Sequence, residues 1–469
     1  METPWTPEFD NSGAPLYAQI VAAMRRDRAS GILPPGHRLP TQRHLAQRLG
    51  IGIGTVTRAY TEAERLGLIV SHVGRGTFMA GAIADRQPEP PSGRIDLSLN
   101  VPPIAPAIPR VAAAIAAWAT DPDLGALLGI LPSAGHKRHR QILASWTSAN
   151  HGLPEVDWRR LIVTTGGQHA LNLALRSLTE PGDTVLIEAS TFFGFRTAAE
   201  HHRVNLHPVR IDRQGMDPES LEAAIRQTGA RIVYLQPTLH NPTTRSMPPA
   251  RRREIAAIIR QHGLTLIEGD VYGALARHGA LREKLPLPIP IATLIPERTW
   301  FISSMGKVVA SGLRVGLLIV PDRDATETVN LKMRADCYAS SPVGTELIVR
   351  MISDGTTIHL IDEIVHQATQ RTKLACEALS PWIEKPSYSS SLHIWMPMPE
   401  LDAERLYGCA LRNDIILTPP AAFSFGTPGP TGIRLCLNGP ASTEHLTKAL
   451  DVIVSTMRHT PTSRTHSII

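Results

Sequence analysis

The stretch SSMGKVVASGLRVG, residues 303–316, holds the residues best suited to covalent chemistry. It has one amine, on Lys307, and one guanidinium, on Arg314, among small and apolar residues. A lysine in such surroundings either extends its amine to water or keeps it where burial lowers its pKa. In the second case the amine is a nucleophile near neutral pH and forms an imine with an aldehyde. The stretch thus raises the question of whether Lys307 lies on the surface or acts as a nucleophile.

Apolar, β-rich runs alternate with helical stretches in the part of the chain that contains Lys307. The runs are RLIVTTGG, DTVLIEAS, RIVYLQP, TLIEGDVYG and RTWFISS. Such alternation predicts βαβ units, and therefore an α/β fold with a mostly parallel central sheet. Ligands of these sheets bind beyond the carboxyl ends of the strands. The residues that directly follow each run are therefore the candidates for a binding site.

Residues able to hold an anionic, planar ligand follow these runs. Gly166, Gly167 and Gln168 begin a helix, where backbone N–H groups bind phosphate. An aromatic ring after the second run either stacks on a planar ligand or fills the core. The second and later runs are followed, in order, by Phe192, Asn241, Asp270, Tyr272, Lys307 and Arg314.

Pyridoxal 5′-phosphate (PLP) is the cofactor that this set of groups suits. An amine bonds to its aldehyde, while a guanidinium and a helix start hold its phosphate. A carboxylate keeps the pyridine nitrogen protonated, which makes the ring an electron sink. An amide and a phenol hold the ring oxygen. We therefore predict a PLP site at the carboxyl edge of the sheet.

From residue 96 to about residue 460 the chain resembles the fold type I aminotransferases. The motifs T-x-G-x-Q, N-P-T and S-x-x-K-x-x-x-x-G-L-R-x-G occur in the order of that family. The resemblance implies that PLP is bound as an imine on Lys307, the catalytic lysine. By the same resemblance, the phosphate is held by Ser304, Arg314, Gly167 and Gln168, and the ring by Phe192, Asn241 and Tyr272.

The resemblance also implies a smaller C-terminal α+β subdomain, over about residues 345–460. Its sequence GIRLCLNGP is similar to the family strand whose arginine, here Arg434, binds the carboxylate of a substrate or effector. A guanidinium offers parallel donors to a carboxylate, which is what that task needs. A structural salt bridge is the alternative role for Arg434.

Several positions near the predicted site depart from the family pattern. Gly269 replaces the aspartate that pairs with the pyridine nitrogen. Asp270 reaches that nitrogen only if the strand end is rearranged, since neighbouring strand residues point to opposite faces. Ile130, Gly306 and Thr244 stand where relatives have a tyrosine, a serine and a glycine. These changes indicate that the cofactor is still bound while catalysis is weakened.

The N-terminal eighty residues have a pattern of their own. Helical spacing in PLYAQIVAAMRRDRASG, QRHLAQRLG and TVTRAYTEAERLG precedes LIVSHVGRGTFMA, which reads as a hairpin. Three helices and a two-stranded wing predict a winged helix-turn-helix. Residues 11–80 contain nine arginines and no lysine against three acidic residues, a net charge of +6. This charge favours a polyanionic partner.

Residues 14–80 resemble the GntR family of bacterial regulators. The shared residues include P-L-Y at 15–17, P-G-x-R-L-P at 35–40 and G-x-G-T-F at 74–78. Gly52 and Ile53 replace the S-R or T-R that usually precedes the recognition helix, so one common basic contact is missing. An ordinary solvated helix face is the alternative for the arginines. The resemblance implies DNA contacts by Arg43, Thr55, Thr57, His72, Gly74 and Arg75.

A segment rich in proline, charged and small residues sets the predicted domain boundaries. Residues 81–95, GAIADRQPEPPSGRI, predict a semi-rigid linker between a DNA-binding domain at 12–80 and a PLP domain at 96–460. No apolar run of about 18 residues occurs and the N-terminus lacks a signal-peptide core, so a soluble cytoplasmic protein is expected. The four cysteines lack C-x-x-C spacing, which argues against a disulfide frame or a metal site.

A GntR-type winged helix fused to an aminotransferase-like domain is the arrangement of the MocR group of regulators. Membership implies a PLP-dependent homodimer that binds double-stranded operator DNA and senses PLP or an amino acid. Two other hypotheses stay open. One is a working aminotransferase with an appended DNA-binding domain, and the other is a regulator whose large domain no longer holds PLP.

Overall fold

The computed structural model describes residues 5–9, 15–34, 36–66, 68–72, 76–79, 93–425 and 429–459. It divides the chain into two compact units, Met1–Glu89 and Pro90–Ile469. The division falls within the predicted linker, of which residues 81–92 lie outside the described residues. Among the described helices none is long and apolar enough to cross a membrane.

The first unit has three helices followed by a two-stranded antiparallel hairpin. The helices are α1 (Leu16–Ala29), α2 (Gln42–Leu49) and α3 (Ile53–Arg65), and the strands are β1 (Ile69–His72) and β2 (Gly76–Met79). The Thr41 hydroxyl caps α2 by accepting a hydrogen bond from the His44 N–H at 3.3 Å. The buried Tyr60 hydroxyl donates to the Pro40 carbonyl at 2.7 Å and fixes α3 against the turn before α2. This is the predicted winged helix-turn-helix.

A seven-stranded sheet forms the centre of the second unit. Its strand order is β4-β12-β11-β10-β9-β5-β6, and only β12 runs antiparallel to its neighbours. The strands of the second unit up to β12 are β3 (Ile95–Asp96), β4 (Leu161–Thr165), β5 (Thr184–Glu188), β6 (Asn205–Val209), β7 (Ile211–Asp212), β8 (Gly215–Met216), β9 (Ile232–Leu235), β10 (Thr265–Gly269), β11 (Thr299–Ser304) and β12 (Val315–Ile319).

Both faces of this sheet are covered by helices, which explains the continuous apolar runs in its strands. On β12, Leu317 and Leu318 are both fully buried, yet they belong to hydrophobic clusters on opposite faces. The covering helices are α4 (Ala107–Ala119), α5 (Lys137–His151), α6 (Gly167–Leu178), α7 (Phe193–His202), α8 (Pro218–Thr228), α9 (Pro249–Gln261), α10 (Gly273–Glu283), α11 (Arg323–Asp336), α12 (Pro342–Ser353) and α13 (Thr356–Leu379). The predicted α/β class with a mostly parallel sheet is confirmed.

The C-terminal part forms a smaller layer with its own core. Strand β13 (His393–Pro397) pairs with β15 (Gly432–Cys436), and β14 (Ile415–Ile416) pairs with β3 in parallel. Helices α14 (Glu400–Arg412) and α15 (Thr443–His459) cover them. Strand β3 therefore belongs to this layer although it lies far from residues 345–460. A two-residue parallel pairing leaves no local pattern, so the sequence gives no sign of it.

Candidate functional site

A cavity of about 340 Å³ lies beyond the carboxyl ends of β9, β10 and β11 in the second unit. This is where ligands bind in sheets of this kind, and the volume is within the range of small-molecule sites. The residues that were predicted to hold PLP or a carboxylate all line this cavity, with the exception of Gly166 and Asp270. The tertiary structure thus brings together residues that are far apart in the chain.

Lys307 ends a short 3₁₀ helix, Met305–Lys307, that follows β11. Its amine lies in the cavity wall and donates a hydrogen bond to the backbone carbonyl of Asn100. Burial lowers the pKa of this amine to about 8, and the charges of Arg434 and Arg314 act in the same direction. A useful fraction of the amine is therefore neutral, and nucleophilic, near pH 7.

One end of the cavity is built to hold an anion. Helix α6 begins at Gly167, so its free N–H groups lie at this end. The Arg314 guanidinium packs over Gly166, where a Cβ would lie only 2.6 Å from the guanidinium Nη2. Gly166 also has φ +81°, which favours glycine. No carboxylate of the described residues forms an ion pair with Arg314, so its charge is available to a phosphate.

Ser304 and Gln168 complete this end of the cavity. The Ser304 hydroxyl accepts a hydrogen bond from the Gly306 N–H at 3.1 Å and donates to the Val315 carbonyl at 3.2 Å. The Gln168 amide donates to the Gly194 carbonyl at 2.7 Å. Both side chains are therefore held in fixed positions at the cavity wall.

Phe192 forms one side wall and remains half-buried where it faces the cavity. Its ring packs on Phe193 with centroids 5.0 Å apart. Gly194 makes this arrangement possible, because a Cβ at that position would collide with the Phe192 ring. A partly exposed ring in a cavity wall is suited to stacking on a planar ligand rather than to filling the core.

Asn241 and Tyr272 lie together in the cavity wall, next to Arg434. The Asn241 Oδ1 accepts a hydrogen bond from Arg434 Nη1 at 2.9 Å, and its Nδ2 acts as a donor toward the Tyr272 hydroxyl. The Tyr272 hydroxyl accepts from Asn100 Nδ2 at 2.8 Å. Burial raises the pKa of Tyr272 above its ordinary value, so the phenol stays neutral. An amide and a neutral phenol are both able to donate to a ring oxygen.

Asp270 is not brought to the cavity. Its carboxylate is buried, and Oδ2 lies 2.8 Å from His151 Nδ1. The other nitrogen of His151 lies 3.1 Å from the Ser303 hydroxyl. Gly269 and Val271 line the cavity instead. Because successive residues at a strand end point to opposite sides, Asp270 is directed into the protein interior.

Arg434 lies in the cavity wall on β15 and is only 2% exposed. Its Nη2 donates to the Ser98 carbonyl at 2.7 Å and to the Thr418 hydroxyl at 2.9 Å. Its Nε has no hydrogen-bond partner among the described residues, and none of their carboxylates forms an ion pair with it. A buried guanidinium without a counterion is costly, so this position fits a ligand carboxylate better than a structural salt bridge.

Three further residues of the cavity wall were not predicted from the sequence. Asn100 contacts both Lys307 and Tyr272, yet it lies in an irregular segment after β3 with no motif. Tyr234 and Gln236 also line the cavity. The only signal for Gln236 is that it directly follows β9.

The charges of the cavity wall fit PLP together with a carboxylate-bearing effector. Among the described lining residues there are three cations, Lys307, Arg314 and Arg434, and no Asp or Glu. A phosphate at one end and a carboxylate at the other would balance the two guanidiniums. The residues present thus fit the predicted cofactor in every respect except a carboxylate for the ring nitrogen.

In the first unit, the predicted DNA contacts lie at the start of α3 and on α2. Arg43 and Thr57 are exposed and Thr55 is half-buried. The Thr57 hydroxyl donates to Gln42 Oε1 at 2.8 Å, which links the two helices. The backbone of His72 ends β1, but its side chain, like Gly74 and Arg75, lies outside the described residues.

The approach to the α3 N-terminus is open. An added Cβ at either Gly52 or Gly54 would meet no heavy atom within 4 Å. The free N–H groups of the first turn can therefore come close to a DNA phosphate.

Known bacterial transcriptional regulators are similar to this chain along most of its length. The uncharacterized HTH-type transcriptional regulator YdeF of Bacillus subtilis is 26% identical, over 96% of each chain. The vitamin B6 salvage pathway transcriptional repressor PtsJ of Salmonella typhimurium is 24% identical, over 92% of this chain and 97% of its own.

The second unit also has the fold of solved aminotransferases. The α-aminoadipate aminotransferase LysN of Thermus thermophilus, complexed with N-(5′-phosphopyridoxyl)-L-leucine, superposes with a TM-score of 0.68 at 21% identity. The match covers 78% of this chain and 92% of LysN.

Two family models match the chain, one in each unit. The model of the bacterial regulatory proteins of the gntR family matches residues 16–79, and that of aminotransferase class I and II matches residues 93–453. Both resemblances predicted from the motifs are thereby confirmed. The chain belongs to the aminotransferase class I and II family and carries a gntR-family regulatory domain ahead of it.

Proposed function

We propose that this protein is a PLP-dependent DNA-binding transcriptional regulator, in which the second unit binds PLP on Lys307 and senses PLP or an amino acid. The observation that carries the proposal is the cavity wall, which has three cations and, among its described residues, no carboxylate. Such a wall binds an anionic cofactor well but lacks the charged partner that makes its ring an efficient electron sink.

Different residues hold different parts of the cofactor. Lys307 bonds to it covalently, Arg314, Ser304 and the start of α6 bind the phosphate, and Phe192 stacks on the ring. Asn241 and Tyr272 donate to the ring oxygen. When bound, PLP supplies an electrophilic carbon that reacts with amines. The site can therefore distinguish an amino acid, which has an amine and a carboxylate, from other small molecules.

Footprinting of the DNA upstream of the protein's own gene tests this function. We expect protection whose extent or pattern changes when PLP, or PLP with an amino acid, is added. A footprint that is the same with every ligand would contradict sensing. The protein would then be a regulator whose second unit serves another purpose.

A DNA-binding protein of this family is expected to work in the cytoplasm.

An active aminotransferase is the second candidate, and the retained Lys307 together with the aminotransferase fold favours it. Sustained release of a keto acid from an amino acid, at many turnovers per chain, would support this candidate. Release limited to one equivalent per bound cofactor would support a sensor instead.

A homodimer is the expected assembly, because apolar side chains of the second unit remain exposed just after its 3₁₀ helix Pro122–Leu127. Leu128 is 71% exposed and Ile130 is 85% exposed. Burying two such side chains contributes about 3–6 kcal/mol. In sedimentation, the double variant Leu128→Asp, Ile130→Asp should dissociate at least about a hundredfold more readily than the wild type.

The matched control is Leu401→Asp, since Leu401 is 62% exposed but lies on α14 in the C-terminal layer. It should sediment like the wild type. An unchanged dimer in the double variant would place the interface elsewhere.

Replacing Arg43 with alanine should weaken DNA binding about tenfold and lower the slope of log affinity against log salt by about 1, as for the loss of one phosphate contact. The measurement is fluorescence anisotropy with labelled operator DNA at several salt concentrations. Arg25→Ala on α1 is the control, because Arg25 is also exposed but is not a predicted contact. Equal losses in both variants would mean that only overall charge matters.

A further inference from the structure

The cavity wall at the ends of β9 and β10 has no charged group among its described residues. It is formed by Gly269, Tyr234 and Gln236. A Cβ at Gly269 would lie 3.3 Å from the Tyr234 hydroxyl oxygen and 3.3 Å from Gln236 Cγ. The place toward which a side chain at residue 269 would project is therefore occupied by a phenol and an amide.

A PLP ring nitrogen is normally paired with a charged residue. In this cavity the two guanidiniums are used for other tasks: Arg314 lies with the α6 start, and Arg434 bonds to Asn241 and Ser98. The described lining residues include no carboxylate. The ring nitrogen therefore has to be met by a neutral group.

Tyr234 is the neutral group best prepared for this role. It is 1% exposed, and its ring stacks on the buried Phe195 with centroids 4.1 Å apart and planes at 14°. Its hydroxyl oxygen accepts a hydrogen bond from Gln236 Nε2 at 2.7 Å. The hydrogen of the phenol itself has no acceptor among the described residues. The donor is thus fixed in direction by packing on one side and by an amide on the other.

The phenol also keeps its hydrogen at every relevant pH. Burial raises the pKa of Tyr234 above its ordinary value, and the nearby charge of Glu188 acts in the same direction. A group that holds its proton so firmly donates a hydrogen bond to a pyridine nitrogen but does not transfer the proton to it.

We propose that the Tyr234 hydroxyl is a cofactor-binding group that donates a hydrogen bond to the pyridine nitrogen of PLP and keeps the ring in its unprotonated form. This inference rests on the proposed function, because it requires PLP in the cavity. An unprotonated ring would withdraw electrons only weakly, so Tyr234 would favour retention of a bound amino acid over its conversion. The site is thereby adapted to detect a ligand rather than to turn it over.

The test uses PLP labelled with ¹⁵N in the ring, bound to the full-length protein, and reads the nitrogen chemical shift by NMR. For the wild type we expect the shift of an unprotonated, hydrogen-bonded pyridine. Tyr234→Phe should move the signal toward that of free pyridine and weaken PLP binding about five- to tenfold, as expected for one lost hydrogen bond. Tyr388→Phe is the matched control, since that phenol donates to the Pro286 carbonyl at 3.2 Å instead of lining this cavity.

A pyridinium shift in the wild type, or a Tyr234→Phe signal identical to that of the wild type, would overturn the inference. Gly269→Asp provides a second test, because Gly269 does not have a left-handed φ, and Tyr234 and Gln236 need to shift by only a few tenths of an ångström to admit a Cβ there. Its signal should move to the pyridinium range, and an unmoved signal would show that residue 269 does not face the nitrogen.

The failure of this inference differs visibly from the failure of the proposed function. If borohydride fixes no PLP to the wild-type protein, the proposed function fails. If PLP is fixed on Lys307 but the nitrogen shift does not respond to residue 234, only the role of Tyr234 fails.

Discussion

Replacing Lys307 with alanine should reduce covalent attachment of PLP from near one equivalent per chain to an undetectable level. The cavity has no other amine among its described lining residues, so nothing can replace this nucleophile. The absorbance band near the visible edge should disappear, and mass spectrometry after borohydride treatment should find no PLP adduct. Some PLP should still bind, because Arg314 and the α6 start are unchanged.

Lys385→Ala is the control for this experiment, since Lys385 is exposed and does not line the cavity. Its absorbance and its adduct should match those of the wild type. In the wild type the rate of attachment should rise with pH through about 8, because the amine must be neutral to react and its pKa is lowered to about 8. An adduct on any residue other than Lys307 would contradict the assignment.

Replacing Arg434 with methionine should weaken the binding of an amino acid to the PLP-loaded protein by about thirtyfold or more. The physical reason is that removing one partner of a buried, hydrogen-bonded charge pair weakens the binding free energy by about 2–5 kcal/mol, because the other charge is left unpaired. Binding is measured by titrating the absorbance of the cofactor with the amino acid. Arg434→Lys should also bind weakly, because an ammonium keeps the charge but loses the bidentate geometry.

A matched ligand separates the carboxylate contact from general damage to the site. An amine that lacks the carboxylate should bind the wild type and Arg434→Met about equally. Thermal unfolding checks the fold, since Arg434 also donates to Ser98 and Thr418. If Arg434→Met bound the amino acid as tightly as the wild type, the arginine would be structural.

Much of the site could be predicted because its chemistry is carried by short stretches. Lys307 and Arg314 lie within one loop after β11, and Gly166, Gly167 and Gln168 lie within one turn after β4. In each case an apolar strand run locates the loop, and the ends of parallel strands meet at one edge. The GntR-type unit was predictable for the same reason, since its helices and hairpin are each specified by residues close in the chain.

The direction of the Asp270 side chain could not be determined from the local sequence. A carboxylate next to the expected position appears in the sequence as a possible replacement. The side on which it lies depends on the register of the strand end, where a shift of one residue reverses the direction of the side chain. In the structure it bonds to His151, which comes from α5.

The sequence by itself determined the two family domains and located the lysine and the anion-binding groups of the cavity wall, because each depends on residue type at short spacing. Only the tertiary structure decided what surrounds them. It brought Asn100 to Lys307, turned Asp270 inward and placed Tyr234 opposite Gly269. These contacts join segments that are distant in the chain, and their geometry follows from packing rather than from any local pattern.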